Sequence, residues 1–378
     1  MLDKNFFKAL ATLVGTIIGV GIFTIPFAVV KAGLIPFLIL LPLLVYVQHL
    51  FHIYYMEIII ATGEKHRLPG YVEKFFGPRA KKWTLVLVLM AVYGSLLAYI
   101  ITGGLFAYEF FSPMIGGNLY VYTLILFAVQ SIIVLYGLKM IARVESWLTT
   151  LLIGAIVLVF LKTTSFFSPS NFTALDWHYF LLPYGPIFFA VGGDAAIPEV
   201  CRLLKGEREQ IKKVIKWSAY ITLIVTGLFA LAIVGATGAL TSPDTLAGLK
   251  MIFGKGFISL ALLLGLLAVI TSFITFAQAT KEIFFWDLKI NKTKSWLLAL
   301  IPPLLFYIFG LQNLTQVVAF TGSVSGGLIG IIFVWLFYKA KKSQQGVLIE
   351  SKINKAVALA LSIFFIIGFI YSLYFLSK

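Results

Sequence analysis

Charge is scarce in this sequence. Asp, Glu, Lys and Arg make up 12% of its 378 residues, about half the share of a soluble globular domain. Acidic residues are the rarer sign, 15 against 30 basic ones, for a net charge of +15. There is one cysteine, Cys201, which excludes an internal disulfide and a cysteine-based metal cluster. The four histidines, His49, His52, His66 and His178, show no metal-ligand spacing such as H-E-x-x-H. Ionisable groups are too few and too scattered to assemble the nucleophile, metal set or acid–base pair that a membrane-embedded enzyme needs.

Apolar runs, by contrast, recur along the whole chain. The composition is 60% hydrophobic, with a mean hydropathy of +1.00. Eleven runs approach the length that crosses ~30 Å of hydrocarbon as a helix: roughly 6–31, 34–62, 83–111, 119–138, 144–162, 179–203, 215–238, 254–284, 295–310, 313–338 and 355–376. The first lacks a small-residue cleavage site and reads as a retained helix rather than a signal peptide. The basic residues fall on alternate sides of these spans. One side holds 25 of the 30: Lys4, Lys8, Lys139, Arg143 and the loops 63–82, 202–216, 281–294 and 339–355. The other holds Lys31, Lys162, Lys250, Lys255 and Lys378. Basic loops stay in the cytoplasm, so the N-terminus is expected inside the cell membrane and the C-terminus outside. The positive charge therefore points to the anionic inner leaflet of the lipid bilayer and away from nucleic acid.

Loops are short, so a single transmembrane domain is expected. The stretch "CRLLKGEREQIKKVIKW" after the sixth span should contain a short amphipathic piece lying on the membrane. Outer loops such as "SPMIGGNLY" carry turn residues. The first span contains "GIFTIP" (Gly21 to Pro26) and the sixth "GDAAIP" (Gly193 to Pro198). Both read G-x-x-x-I-P, five spans apart and in opposite orientation. That predicts an inverted five-plus-five repeat, about 6–162 and 179–338, with an extra helix at about 355–376.

Glycine and proline are the residues least suited to a helix interior, yet "GTIIGVGIFTIP" (Gly15 to Pro26) sits inside a span. In hydrocarbon, irregular backbone survives only where it lines a cavity or is buried in protein. Glycine tolerates non-helical dihedrals and bares its backbone. Two half-helices meeting at the midplane expose N–H groups suited to a carboxylate and carbonyls suited to an ammonium or metal cation. An amino acid carries both charges on one carbon, so two broken helices make a site for its backbone. The plainer reading is that Gly15-x-x-x-Gly19 is a helix-packing face.

These residues resemble the amino acid–polyamine–organocation superfamily. "GTIIGVGIFTIP" is similar to its first helix. "LLAYIITGG" (Leu96 to Gly104) and "FFAVGGDAAIPEV" resemble the third and sixth helices of its amino acid/auxin and aromatic amino acid permease branch. "AVITSFITF" (Ala268 to Phe276) and "VVAFTGSVSGG" resemble the eighth and tenth. The resemblance spans nearly the whole chain. It implies an all-α integral membrane protein with the LeuT-type five-plus-five inverted repeat, discontinuous helices 1 and 6, and an eleventh helix. It also implies secondary active transport of amino acids, with a preference for bulky aromatic or branched neutral ones. The alternative is a membrane channel or uniporter for small solutes, but no filter ring of the kind channels use is evident.

By this resemblance the substrate carboxylate meets the backbone around Gly19, Val20 and Gly21. The ammonium meets carbonyls near Thr16, Ala190 and Gly192, and Tyr99 closes one side. Asp194 departs from the branch, which more often has a neutral residue or histidine there. A carboxylate at mid-bilayer is expensive and normally faces a cavity or a partner. It could neutralise the ammonium, carry a proton, or accept backbone hydrogen bonds where the helix unwinds. No organic cofactor is implied. Sodium is a possible coupling ion: in this fold a hydroxyl pair such as Thr271 and Ser272, with carbonyls of Gly15 and Ile18, forms a sodium site of oxygen ligands. The competing reading has both hydroxyls bonded back to the preceding helical turn. Protons are the other candidate, because "QHLFHIYYME" places His49, His52 and Glu57 on or near one helix face as a possible relay.

Overall fold

The computed structural model describes residues 4–136, 138–243, 245–253, 255–343 and 354–376. Among the described residues the chain is helical throughout, without a strand. The first expected span is interrupted. Helix α1 (Lys4–Ile17) ends at Ile17, a 3-10 turn covers Val20–Phe23, and α2 (Ile25–Ala32) restarts with Pro26 in its first turn, where a missing N–H does no harm. The two halves bend by 42°. Helix α3 (Leu34–Thr62) returns across the bundle and the short α4 (Leu68–Phe76) lies in the following loop. Helices α5 (Pro78–Ile115), α6 (Leu119–Tyr136) and α7 (Leu138–Thr163) complete the first half of the chain.

The sixth span is interrupted as well. Helix α8 (Tyr184–Val191) stops at Gly192, a 3-10 turn covers Asp194–Ala196, and α9 (Ile197–Leu203) resumes with Pro198 in its first turn. Then follow α10 (Arg208–Thr237), the short α11 (Leu246–Ile252), α12 (Lys255–Glu282), α13 (Lys292–Ile308), α14 (Leu314–Ser323), α15 (Gly330–Lys342) and α16 (Lys355–Leu376). Helices α14 and α15 are joined through a π-helical turn, Val324–Ile329. Among the described residues eight helices are long and apolar enough to cross a membrane, and the bent α1–α2 pair makes nine. The other two expected crossings are built from shorter pieces: the interrupted α8–α9 pair, and α13 at 17 residues.

One expectation fails. No separate amphipathic piece lies in the loop after α9. Helix α10 begins at Arg208 and runs unbroken through 30 residues, because Ile211, Val214, Ile215 and Ser218 continue one buried stripe into the span. The amphipathic surface helix is α4, whose Leu68, Tyr71 and Val72 are buried.

Helix α12 packs against α1, α5, α6, α7 and α13. Lipid offers little apolar driving force between helices, so close packing at small residues must hold them together. A Cβ on Gly103 of α5 would lie 2.9 Å from Val269 of α12, and one on Gly265 would overlap the Phe106 ring. Helices α6, α7 and α16 form the periphery and turn Ile125, Leu158 and Ile363 outward. The end of the bundle that carries the basic loops is called the basic end below, the opposite one the far end. At the far end three backbone hydrogen bonds join the α2–α3 corner to residues 173–176. Leu34 N–H donates to Thr173 O (2.9 Å), Ile35 N–H to Ala174 O (3.0 Å) and Asp176 N–H to Ala32 O (2.9 Å).

Candidate substrate and coupling site

The two interruptions face each other, and glycine permits the approach. A Cβ on Gly21 would sit 2.5 Å from Ala190 Cα and 2.9 Å from the Phe189 ring. One on Gly19 would sit 2.6 Å from Ser272 Oγ and 3.3 Å from Tyr99. One on Gly193 would sit 2.6 Å from Ile17. Dihedral freedom is not the reason, because Gly19, Gly192 and Gly193 have φ of −118°, −70° and −141°, values open to any residue. Gly19 also differs from expectation as an amide donor: its N–H donates to Ile17 O at 2.9 Å. Val20 and Gly21 open the 3-10 turn, so their N–H groups have no acceptor within it.

Around the first interruption the carbonyls are held from several sides. Ser272 Oγ donates towards Gly15 O (3.2 Å) and Thr16 O (3.4 Å). Thr24 donates to Gly21 O at 2.9 Å. Thr245, fully buried in the far-end loop, donates to Phe23 O. Thr271 bonds back to Ala268 O (3.0 Å) and Leu267 O (3.2 Å). The two neighbouring hydroxyls therefore differ: Ser272 crosses to α1, whereas Thr271 stays on its own helix.

A cavity of about 90 Å³ opens beside the second interruption. Gly192 and Asp194 line it, and Phe188, Phe189, Phe276 and Phe333 supply aromatic wall. Ser95 of α5 and Thr321 of α14 line it as well. Tyr99 sits above, its ring 6.2 Å from that of Phe189 and 5.7 Å from that of Phe276. Thr16, Ile18, Val20 and Ala190 are buried around the interruptions.

Asp194 Oδ1 is buried without a hydrogen-bond partner among the described residues, 3.6 Å from His52 Nε2. His52 Nε2 in turn lies 3.2 Å from Gln48 Nε2. The expected line of His49, His52 and Glu57 is divided. His49 faces a small cleft with Ser218 and Thr222 of α10. Glu57 pairs with Arg208 at 3.2 Å, because the start of α10 brings that guanidinium to the basic end of α3. Only His52 reaches Asp194.

Sequence reasoning missed the closure at the basic end. Arg67, between α3 and α4, donates to Glu282 through Nε (2.9 Å) and Nη2, and to Ala195 O through Nη1 (2.6 Å). Arg202 of α9 pairs with Glu199 and reaches Glu282 at 3.3 Å. The Trp286 ring lies 5.8 Å from the Arg67 guanidinium carbon and 5.1 Å from that of Arg202. Asp287 accepts from the backbone N–H of Arg67 and of Gly70, both at 3.2 Å, and lies 3.0 Å from His66 Nδ1. The available signal was carboxylates at one span end facing an arginine loop.

A profile of the tryptophan/tyrosine permease family matches residues 3–372. Among solved structures the chain is similar to MhsT in complex with L-phenylalanine, at 16% identity and a TM-score of 0.69, covering 98% of each chain. It is also similar to Mhp1, a nucleobase-cation-symport-1 family transporter in a closed conformation with bromovinylhydantoin bound. There the identity is 15% and the TM-score 0.68, over 98% of this chain and 91% of that one. At such identities the likeness carries the fold alone, the LeuT-type transporter fold. A search of curated protein sequences finds no match.

Proposed function

The chain belongs to the tryptophan/tyrosine permease family, a multi-pass membrane transporter of amino acids and not an enzyme, and from that premise we propose that it carries aromatic amino acids by alternating access. The observation that carries the reading is the cavity beside the second interruption, walled by four phenylalanines and edged by Asp194. Aromatic rings favour offset or edge-on neighbours, which this wall supplies. The backbone zwitterion fits the interruptions themselves: carboxylate towards the amides of Val20 and Gly21, ammonium towards the carbonyls of Thr16, Ala190 and Gly192. Asp194 balances the ammonium or holds a proton. Gly19 contributes close approach to Tyr99 and Ser272.

The basic end is assigned to the cytoplasm, with the N-terminus inside and the C-terminus outside. The outer door is then the contact of Gly21 with Ala190. The inner door is the Arg67–Glu282–Arg202 cluster. Bundle motion opens one while the other is shut.

Two coupling ions have support. The donors around Gly15 O, Ile18 O, Thr271 Oγ1 and Ser272 Oγ are oxygen only and fit a hard cation. Sodium there would supply positive charge pinning α1 to α12, where Ser272 already reaches Gly15 O at 3.2 Å. The proton reading rests on Asp194 and His52 at 3.6 Å, a half-buried carboxylate and a buried imidazole able to share one proton. Purified protein in liposomes tests all of this. Counterflow of labelled Trp, Tyr and Phe should exceed that of Ser and Ala. Sodium and pH gradients imposed separately should show which one drives accumulation. Absence of counterflow for every aromatic amino acid would refute the substrate assignment.

A further inference from the structure

His66 stands between two carboxylates in the loop that joins α3 to α4. Its Nδ1 lies 3.0 Å from Oδ1 of Asp287, in the π-helical turn after α12. Its Nε2 lies 3.2 Å from Glu64 Oε2. Both ring nitrogens thus face an acceptor. A neutral imidazole carries one N–H and one lone pair, so it serves one carboxylate and turns a lone pair on the other. The imidazolium donates to both. The arrangement is complete only when the ring holds a second proton.

The Asp287 contact is the anchor. That side chain has no exposed surface, whereas Glu64 is half exposed. Arg67 and Gly70 give the Asp287 carboxylate two main-chain N–H groups, neither of them charged. The neighbouring charged side chains are engaged elsewhere. Lys81 of α5 reaches Glu73 and the main-chain carbonyl of Asp287. Lys74 of α4 holds the other oxygen of Glu64, and the Arg67 guanidinium is bound to Glu282. Tyr71 of α4 sets its ring edge-on to His66, with centroids 5.6 Å apart. Among the described residues, His66 alone forms an ion pair with Asp287. Glycine permits the approach of α4: a Cβ on Gly70 would overlap Asp287 Oδ1 and lie 2.5 Å from His66 Nδ1.

His66 immediately precedes Arg67, whose guanidinium closes the basic end through Glu282 and Ala195 O. We propose that His66 is a proton-binding switch on the inner door: a proton taken up from the basic-end side ties the α3–α4 loop to Asp287 and Glu64 and holds the door shut. The inference rests on the reading of the Arg67 cluster as that door, and the switch is separate from the Asp194–His52 pair. Imidazoles ordinarily change charge between about pH 5 and 8. Acid on that side therefore holds the door and alkali frees it, so turnover slows when that compartment acidifies.

The test is access to the cavity from the basic end, in liposomes without substrate, with pH varied on that side alone. A cysteine at cavity residue 325 (Ser325→Cys) is labelled by an impermeant thiol reagent, the native Cys201 being buried. Dividing each rate by that of the His66→Gln background at the same pH cancels the ionisation of the thiol. The ratio should fall about threefold from pH 8 to pH 6, the scale of a partly exposed ion pair. His66→Arg, which stays charged and offers N–H groups to both carboxylates, should label slowly at either pH. A ratio that does not change with pH would overturn the proposal, and so would a fall that disappears when Asp194→Asn is added to both backgrounds. Arg67→Ala should label fast at either pH; if it labels no faster than wild type, the door reading beneath the proposal fails instead.

Discussion

Gly21→Ala adds one methyl group where the far-end halves of the two interrupted helices touch. The new carbon would lie 2.5 Å from Ala190 Cα and 2.8 Å from Ala190 Cβ. The nearer atom is backbone, so no side-chain rotation relieves the clash and α2 must move off α8. Overpacking of this kind costs about 1–3 kcal/mol. Only the state with the far end shut suffers it. At about 1.4 kcal/mol per factor of ten, the shut state loses roughly five- to 150-fold in relative population. Accessibility measures this directly. The one native cysteine, Cys201, is buried, so a cysteine at cavity residue 325, introduced as Ser325→Cys, gives a clean reporter. An impermeant thiol reagent applied from the far side should label that reporter at least fivefold faster in the Gly21→Ala background. Substrate uptake should fall in parallel. Wild-type labelling and uptake together would refute the idea that this contact is the outer door.

Other perturbations follow from the same geometry. Arg67→Ala leaves Glu282, whose side chain is 4% exposed, with only Arg202 and Gln278 as partners; the Ser325→Cys reporter should then label faster from the basic side, with Glu282→Gln partly restoring closure. Thr271→Ala with Ser272→Ala should abolish stimulation of uptake by a sodium gradient, and persistence of that stimulation would remove sodium from this site. Asp194→Asn should abolish accumulation driven by a pH gradient, read as uptake into liposomes with an alkaline lumen; full accumulation in the variant would clear Asp194 of proton coupling. Glu57→Gln, which leaves Arg208 without its partner, should lower the thermal midpoint in detergent while sparing the pH-gradient response, because Glu57 stands apart from the Asp194–His52 pair.

The interruptions were legible because a bilayer punishes loose backbone. Glycines followed by Ile-Pro inside an apolar run mark a break in the helix, and they recur at Gly21 and Gly193. The reason glycine is needed there was not legible. Local sequence suggests dihedral tolerance, whereas the structure uses the missing Cβ, a fact about neighbours hundreds of positions away. Arg67 and Glu282 are likewise 215 positions apart; nothing local marks them as partners. Helix α4 was hidden by its length, since nine residues with Pro69 and Gly70 among them make a weak helical pattern. His52 and Glu57 shared a plausible face of α3 in sequence. Their fates were decided by what the second interruption and α10 brought to that face, an aspartate in one case and an arginine in the other.

The stitch between the α2–α3 corner and residues 173–176 ties the far-end half of the first broken span to the segment that leads into α8. It consists of amides and carbonyls, so exchanging side chains along it leaves the linkage in place. Deleting a donor does not, and Asp176→Pro would unhook the segment from Ala32. Movement of the segment before α8 is thereby coupled to α2 through the main chain.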